Sequence, residues 1–456
     1  MTAFSVSHPA LPTSRILRTW WPLATSWLFM AAELPLVSAV IARLPEAEIN
    51  LAAYGGIVFP VALIVESPII MLLAASTALS KDWASYVKLR SFMMRTSAVL
   101  TALHLLIAFT PLYYFVAETM IGAPPEIIEP GRVGLMIMTP WTWAIAYRRF
   151  NQGVLIRFDH SRAVGIGTAT RLTTVVVMLV IGFSLGTLPG IVVGTGAIAA
   201  GVTCEAIYAG LRVRPVLRRE LKHAPPAEPP LTFRAFVSFY IPLAMTSLLT
   251  LLIEPLGSAA LSRMPHPIES LAVWPVISGV IFMTQSFGIA YNEVVVALMD
   301  QPRSYFSLRR FAIALLVTVT GVLLIVALTP LAGLWFGRVS GLTPPLAEMA
   351  RLGLWLALPM PGLSVLQSWF QGALMHSRQT RGITESVVVF MVACGGVLWA
   401  GVLFGQFTGL YIGLFAFTFG ITLQTLWQWW RSRPVMQRVQ ERDSASIQLA
   451  ATTGSA

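Results

Sequence analysis

The sequence predicts an all-α polytopic membrane protein of twelve transmembrane helices, built as two parallel six-helix repeats. Three observations carry that prediction. Of 456 residues, 56% are hydrophobic and only 11% charged, where a soluble globule carries about a quarter charged residues. Apolar stretches of about 20 residues, long enough to cross a bilayer, recur along the whole chain. The chain also repeats itself halfway.

Helices are expected over 19–43, 51–79, 96–116, 133–156, 164–186 and 190–211, then over 235–262, 271–299, 311–334, 346–374, 382–404 and 409–430. Pro35, Pro68, Pro140, Pro255 and Pro359 interrupt them, which membrane helices tolerate where neighbours satisfy the freed backbone groups. Residues 1–18 form an N-terminal segment without the apolar h-region of a signal peptide. The spans divide into an N-lobe, 19–211, and a C-lobe, 235–430. The segment 212–234, basic and then proline-rich, reads as a cytoplasmic linker, and 431–456 as a disordered cytoplasmic tail. Cys204 and Cys394 each lie in an apolar run, where a small inert side chain is expected.

Basic residues test the count, because cytoplasmic loops retain them. With the N-terminus inside, 25 of the 31 lysines and arginines fall on the cytoplasmic side. Arg43, Arg132, Arg263, Arg338 and Arg351 fall outside, and Arg171 lies within a span. Topology thus accounts for the formal charge of +11, and no nucleic-acid partner is expected. Both termini are expected in the cytoplasm, and the membrane is expected to be the plasma or inner membrane.

The repeat is specific. Pro22-Leu23-Ala24 matches Pro242-Leu243-Ala244, Pro35-Leu36 matches Pro255-Leu256, Ser38-Ala39 matches Ser258-Ala259, and Arg43 matches Arg263. One helix later, Thr110-Pro111-Leu112 matches Thr329-Pro330-Leu331, Gly122 matches Gly341, Arg132 matches Arg351, and Gln152-Gly153 matches Gln371-Gly372. The loop His160-Ser161-Arg162 recurs as His376-Ser377-Arg378. Shared hydrophobicity supplies leucines, not matched prolines, glycines and arginines at constant spacing. Six spans per copy is an even number, so both copies enter the membrane the same way round and are related by an axis along its normal.

Two such repeats, each opening on a proline-bearing helix and followed by a Pro/Gly-marked second helix, resemble the MOP flippase superfamily, which includes the MATE multidrug exporters. Leu51 to Gly56, Glu66-Ser67-Pro68, Glu254-Pro255, Ser262-Arg263, Ile268 to Val273 and Asn292-Glu293 leading to Asp300-Gln301-Pro302 are similar to its progressive ankylosis protein branch. The superfamily resemblance implies export by rocker-switch motion coupled to H⁺ or Na⁺. The branch resemblance implies small anions, such as phosphorylated or carboxylated metabolites. The sequence departs from the MATE exporters in lacking an aspartate in its first helix, where Glu33 is the nearest acid.

A charge at the bilayer centre costs about 2.5–3.5 kcal/mol, so one that persists faces a cavity or a partner. The candidates for substrate or ion binding are Glu33, Glu66, Arg171, Glu205, Glu254, Glu293 and Glu385, with Asn292 beside Glu293 as an amide suited to Na⁺. A carboxyl in a low-dielectric cavity suits proton coupling, because burial penalises its charged form; each acid also has a structural reading, as half of an ion pair. Arg171 is the only basic residue expected deep within a span, and its guanidinium suits a phosphate or carboxylate. Glu385 takes roughly the matching place in the second half, so the two could instead pair across a cavity. Gln152 and Gln371, each beside a glycine, favour close helix approach and an interhelical hydrogen bond over cavity lining. Tyr54 and Trp274, at matching places in the second helix of each half, read first as aromatic-belt residues and second as cavity lining.

No glycine precedes a lysine, so no phosphate-cradling ATP loop is present, and neither metal-ligand spacing nor a nucleophile motif appears. These absences argue against an enzyme, a cofactor or a metal, beyond H⁺ or a bound Na⁺ for coupling. The leading expectation is a secondary active transporter exporting a small amphipathic or anionic solute across the lipid bilayer as a monomer. A lipid-linked precursor flippase, a multidrug or organic cation antiporter, and a channel or scaffold are the alternatives.

Overall fold

The computed structural model describes residues 11–377, 379 and 381–453. Arg378 of the recurring loop, the first ten residues and the last three lie outside the described residues. Every regular element described is helical. Twelve long segments follow one another: α1 (Thr13–Ile41), α2 (Ala47–Leu79), α3 (Trp83–Phe109), α4 (Pro125–Arg157), α5 (Ser161–Leu185) and α6 (Gly190–Arg219). After the linker come α7 (Phe233–Leu261), α8 (Pro267–Leu298), α9 (Ser304–Leu328), α10 (Pro344–His376), α11 (Arg381–Phe404) and α12 (Gly409–Thr453). Among the described residues eleven of the twelve are long and apolar enough to cross a membrane. The exception is α4: its 33 residues suffice in length, but its uncharged stretch 133–147 is bracketed by Arg132 and Arg148. The chain is an integral, multi-pass membrane protein.

The duplication is written into the backbone. Helix α1 breaks after Ala31 and α7 after Leu251, in each case four residues before Pro35 or Pro255, whose missing N–H leaves that carbonyl without its helical donor. The segments Phe115–Ile121 and Leu334–Val339 both widen into π-helix, and each runs into a left-handed glycine, Gly122 at φ 72° and Gly341 at φ 76°. These pairs keep the spacing of the sequence match.

Three sets of reciprocal contacts join the halves. In the middle, α2 crosses α8 where Gly55 lies against Pro275, its own counterpart in the other repeat; a Cβ on Gly55 would stand 2.7 Å from Pro275 Cδ and 2.9 Å from the Leu271 carbonyl oxygen. Toward the inner side, that of the basic loops, the counterparts Trp20 and Tyr240 each donate across the division. The Trp20 indole N–H reaches the Phe287 carbonyl at 3.0 Å, and the Tyr240 hydroxyl reaches the Pro68 carbonyl. Toward the outer side, Arg43 donates to the carbonyls of Arg338 and Val339, and Arg263 to those of Thr119, Met120 and Ile121. Each guanidinium thus caps the carbonyl end of the other repeat's π segment, where the helix dipole favours a cation. The left-handed glycines leave room for them: a Cβ would come within 2.9 Å of Arg263 at Gly122 and within 2.8 Å of Arg43 at Gly341.

Two expectations are corrected. Helix α6 continues to Arg219, so the linker is shorter than 212–234 and begins at Glu220. The tail 431–456, expected to be disordered, is helical through Thr453, because α12 extends past the membrane and packs Val435 and Met436 into a core with Ile16 and Trp20. That core also holds Tyr291 and Leu308, so the inner half of α1 packs with second-half helices across the lobe boundary.

The linker is pinned by Asp82, between α2 and α3. Its Oδ1 accepts from the Ser85 N–H at 2.8 Å, capping α3, and its Oδ2 accepts from the Ala227 N–H at 3.0 Å. Burial pushes this carboxyl upward, but the Ser85 and Ala227 hydrogen bonds and Lys88 outweigh it and hold it below the ordinary carboxylate range. A depressed folded value contributes stability above the unfolded value, near about 4, that is lost as pH falls through the folded one. A spin label at Ala224 is therefore expected to show unchanged mobility from about pH 8 to 5 and release only below about 4, whereas Asp82→Asn is mobile throughout. At the crossing, Gly55→Leu is expected to cost about 1–3 kcal/mol by overpacking, read as a lower unfolding temperature in detergent. Gly321→Ala, where a Cβ meets nothing within 4 Å, is the neutral control.

Candidate functional site

Directly inside the Gly55–Pro275 crossing lies a cavity of about 450 Å³ between the two halves, reaching Ile70 on α2 and Gln285 on α8. Its outer closure is the crossing itself, backed by the two arginine caps. The walls differ in chemistry. From the first half come Glu33, Tyr54, Glu66, Arg148, Arg149 and Arg171; from the second come Glu254, Trp274, Ser278 and Gln285 among Phe282, Met360 and Phe417. Aromatic and apolar side chains line both walls, Phe59 and Trp141 among them on the first, but the charges gather on the first wall and the second carries a single acid.

Each charge has a placement that follows from its helix. Arg171 on α5 pairs with Glu33 at the break of α1 at 2.6 Å. Arg148 on α4 pairs with Glu205 on α6, whose other oxygen accepts from the Gln152 amide at 2.9 Å. Glu205 is fully buried and sits behind the wall as the counter-charge that holds Arg148. Two groups remain. Arg149 makes no hydrogen bond or ion pair with the described residues, and its Nε is buried without a partner. Glu66, on α2, has a buried Oε2 without a partner, and Arg149, Arg148 and Arg171 all lie near enough to act on it electrostatically. Glu254 on α7 faces the Trp274 indole. Glu33, two residues before Pro35, and Glu254, one residue before Pro255, are thus not equivalent.

Arg148 and Arg149, counted from sequence on the cytoplasmic side, stand in the cavity wall, so Arg171 is not the sole deep cation. The expected helix 133–156 already held both arginines, as α4 does to Arg157; the missed signal is the Tyr147-Arg148-Arg149-Phe150 run inside it, where a double arginine in a span points to a cavity or a buried counter-charge. Tyr54 and Trp274 line the cavity and are not belt residues. Glu385 does not meet Arg171; it pairs with Arg381 at 3.2 Å and Arg431 at 3.0 Å between α11 and α12. Glu293 is exposed near the inner end of α8, and Asn292 and Gln371 are half-buried; none of the three lines the cavity. Gly153 and Gly372 do serve close helix approach, since a Cβ would come within 2.5 Å of the Leu73 carbonyl and 2.6 Å of Val295 respectively.

Compared with solved structures, the chain matches the lipid II flippase MurJ in an inward closed conformation with a TM-score of 0.70 at 14% identity, over 93% of this chain and 90% of that one. It matches an inward-facing multidrug resistance MATE family transporter of the MOP superfamily with a TM-score of 0.66 at 13% identity, over 93% and 99%. This chain has the MOP superfamily fold. A third match is a MOP superfamily transporter from Pyrococcus furiosus, described by a reversed polarity of its binding pocket, with a TM-score of 0.61 at 14% identity over 95% and 99%. No protein-family model and no curated protein matches, so the narrower progressive ankylosis resemblance has no counterpart in these comparisons. Within the MOP fold, the cavity lies between the two repeats and on the inner side of their crossing.

The buried pair gives a stability prediction. Removing one partner of a buried ion pair costs about 3–5 kcal/mol, because the other charge is stranded. Glu205→Ala is expected to lower the unfolding temperature sharply in detergent, while Glu385→Gln, in a half-exposed network, costs under about 1 kcal/mol.

Proposed function

We propose that the protein is a secondary active transporter that moves a small anionic amphiphile by alternating access of its two halves. The observation that carries this reading is the unpartnered Arg149 guanidinium in a wall where Arg148 and Arg171 are already neutralised. A guanidinium that makes no hydrogen bond or ion pair, with the Glu66 carboxyl near it, leaves its donors open to a carboxylate or phosphate, gripped by charge-assisted hydrogen bonds. The opposite wall, with Trp274, Phe282 and Phe417, suits the apolar part of such a solute. Glu66, with its unpartnered oxygen beside the arginines, is the acid we assign to the coupling ion, H⁺ or Na⁺, and Glu254 is the second. The Arg43 and Arg263 caps hold the outer ends together in the inward-facing state and have to release for the cavity to open outward. Basic loops on the inner side support cytoplasmic termini in a plasma or inner membrane.

A lipid-linked precursor flippase is the second reading, favoured by the arginine wall and by the MurJ-like fold. The cavity volume favours the first, because about 450 Å³ falls in the range of drug-sized ligands, roughly 300–1,000 Å³. The test is a thermal-shift screen of phosphorylated and carboxylated amphiphiles against cationic drugs, followed by uptake into vesicles under an imposed H⁺ or Na⁺ gradient. Anions are expected to stabilise the wild type and to lose at least about tenfold in affinity, about 1.4 kcal/mol, in Arg149→Gln. Glu66→Gln is expected to keep binding and lose gradient-driven accumulation. Stabilisation by cationic drugs alone, or binding unchanged in Arg149→Gln, overturns the reading.

A further inference from the structure

A second cavity, of about 530 Å³, opens on the flank of the molecule where the linker re-enters the membrane. Helix α3 contributes Lys88, Leu89, Phe92 and Arg95; the start of α7 contributes Phe233 and Phe236. Lys88 and Arg95 are seven residues apart and so stack on one face of α3, about 10 Å apart along its axis, with Phe92 between them. Across the groove Phe92 meets Phe236 edge to face at 4.6 Å, and Phe233 is 76% exposed. Lys88 spends one donor on the Leu231 carbonyl at 2.8 Å and lies near Asp82. Arg95 is exposed and makes no hydrogen bond or ion pair with the described residues. It stands about 18 Å along α3 from Trp83, well inside a helix that faces lipid.

An exposed guanidinium beside an apolar groove on such a helix favours an anionic partner at the membrane surface, and among the described residues the groove offers none. The bilayer does. We infer that this groove binds an anionic phospholipid of the leaflet on the side of the basic loops, its phosphate on Arg95 with Lys88 in reach of the headgroup, and an acyl chain along Leu89, Phe92 and Phe236. The site bridges the halves: one wall is α3 of the first repeat and the other is the linker end and α7 of the second. Its occupant therefore ties the two halves together on the inner side, independently of what the central cavity carries.

The full-length chain, delipidated in detergent, is titrated with phosphatidylglycerol, phosphatidylcholine or inorganic phosphate, and its unfolding temperature is followed. Phosphatidylglycerol is expected to raise it by several degrees, phosphatidylcholine and inorganic phosphate to leave it unchanged, and Arg95→Gln to remove the phosphatidylglycerol increment. Equal effects of the two lipids, an effect of inorganic phosphate alone, or an increment that survives in Arg95→Gln overturns the proposal. Lipid co-purifying with the wild type reads the same preference without a variant. From membranes holding both lipids, enrichment of phosphatidylglycerol by about tenfold is expected, and retention at the membrane ratio overturns the site.

Discussion

Gly55 and Pro275 occupy the same position in the two repeats, and they touch. Counterparts related by a two-fold axis meet only where that axis passes, so this contact places the pseudo-symmetry axis through the α2–α8 crossing. Everything else is arranged about it. A side chain on Gly55 would push the helices apart, and the lack of a backbone N–H at Pro275 lets its ring face the neighbouring helix at no cost to the ladder beyond the one bond proline forgoes. Inside the crossing the helices diverge and leave the cavity; outside it, the two arginine caps finish the closure. The inner and outer contacts are each made twice, with the halves exchanging the roles of donor and acceptor, and make the interface of a homodimer within one chain.

Symmetry of the backbone does not extend to the charges. The first half concentrates Glu33, Glu66, Arg148, Arg149 and Arg171 on its side of the cavity, and the second presents Glu254 and aromatic rings. A symmetric pair of charged walls would face like charge with like charge across a low-dielectric gap, which is expensive. Divergence after duplication removes that cost and yields a cavity with two chemically different sides. Such polarity orients an amphipathic solute, which a symmetric cavity could not do. The two ion pairs, Glu33–Arg171 and Arg148–Glu205, hold their guanidinium groups in fixed places, leaving Arg149 and Glu66 as opposite charges near each other, each with a buried polar atom that has no hydrogen-bond partner.

How much of this was legible in the sequence depends on what each signal measures. Hydropathy reports burial in lipid or protein alike, so the helices could be found, but α4 shows its weakness, since a span can carry charges where they face a cavity. The proline pairs gave the helix breaks because proline acts through local backbone geometry, which does not depend on neighbours. The outer caps were half visible: Arg43 and Arg263, Gly122 and Gly341 recur at matched places and the arginines defy the inside bias, yet what they bind is a set of carbonyls, which carry no sequence signature. Arg148 and Arg149 were misread for a related reason. Counting basic residues toward the inner face treats each as solvated, and only packing reveals that Glu205, 57 residues on, claims one of them. The helical tail was missed because its stability comes from docking and not from its own composition.

That docking also answers why the second repeat survives the loss of a helix cap. In the first half Asp82 precedes α3 and accepts from Ser85. The corresponding place before α9 is Arg303, held at a left-handed φ of 56°, and an arginine cannot accept from a helix N-terminus. The acceptor comes instead from α12: Asp443 takes the Tyr305 N–H at 2.8 Å, and Arg442 donates to the Met299 carbonyl at 3.0 Å and to the Ser304 hydroxyl at 3.1 Å. One pair of tail residues thus satisfies the end of α8 and the start of α9 together, the two sets of groups a helix leaves open. The first half pins the linker with its cap, and the second is pinned by the tail, so on the inner side each repeat is tied to the segment of chain that follows its last span.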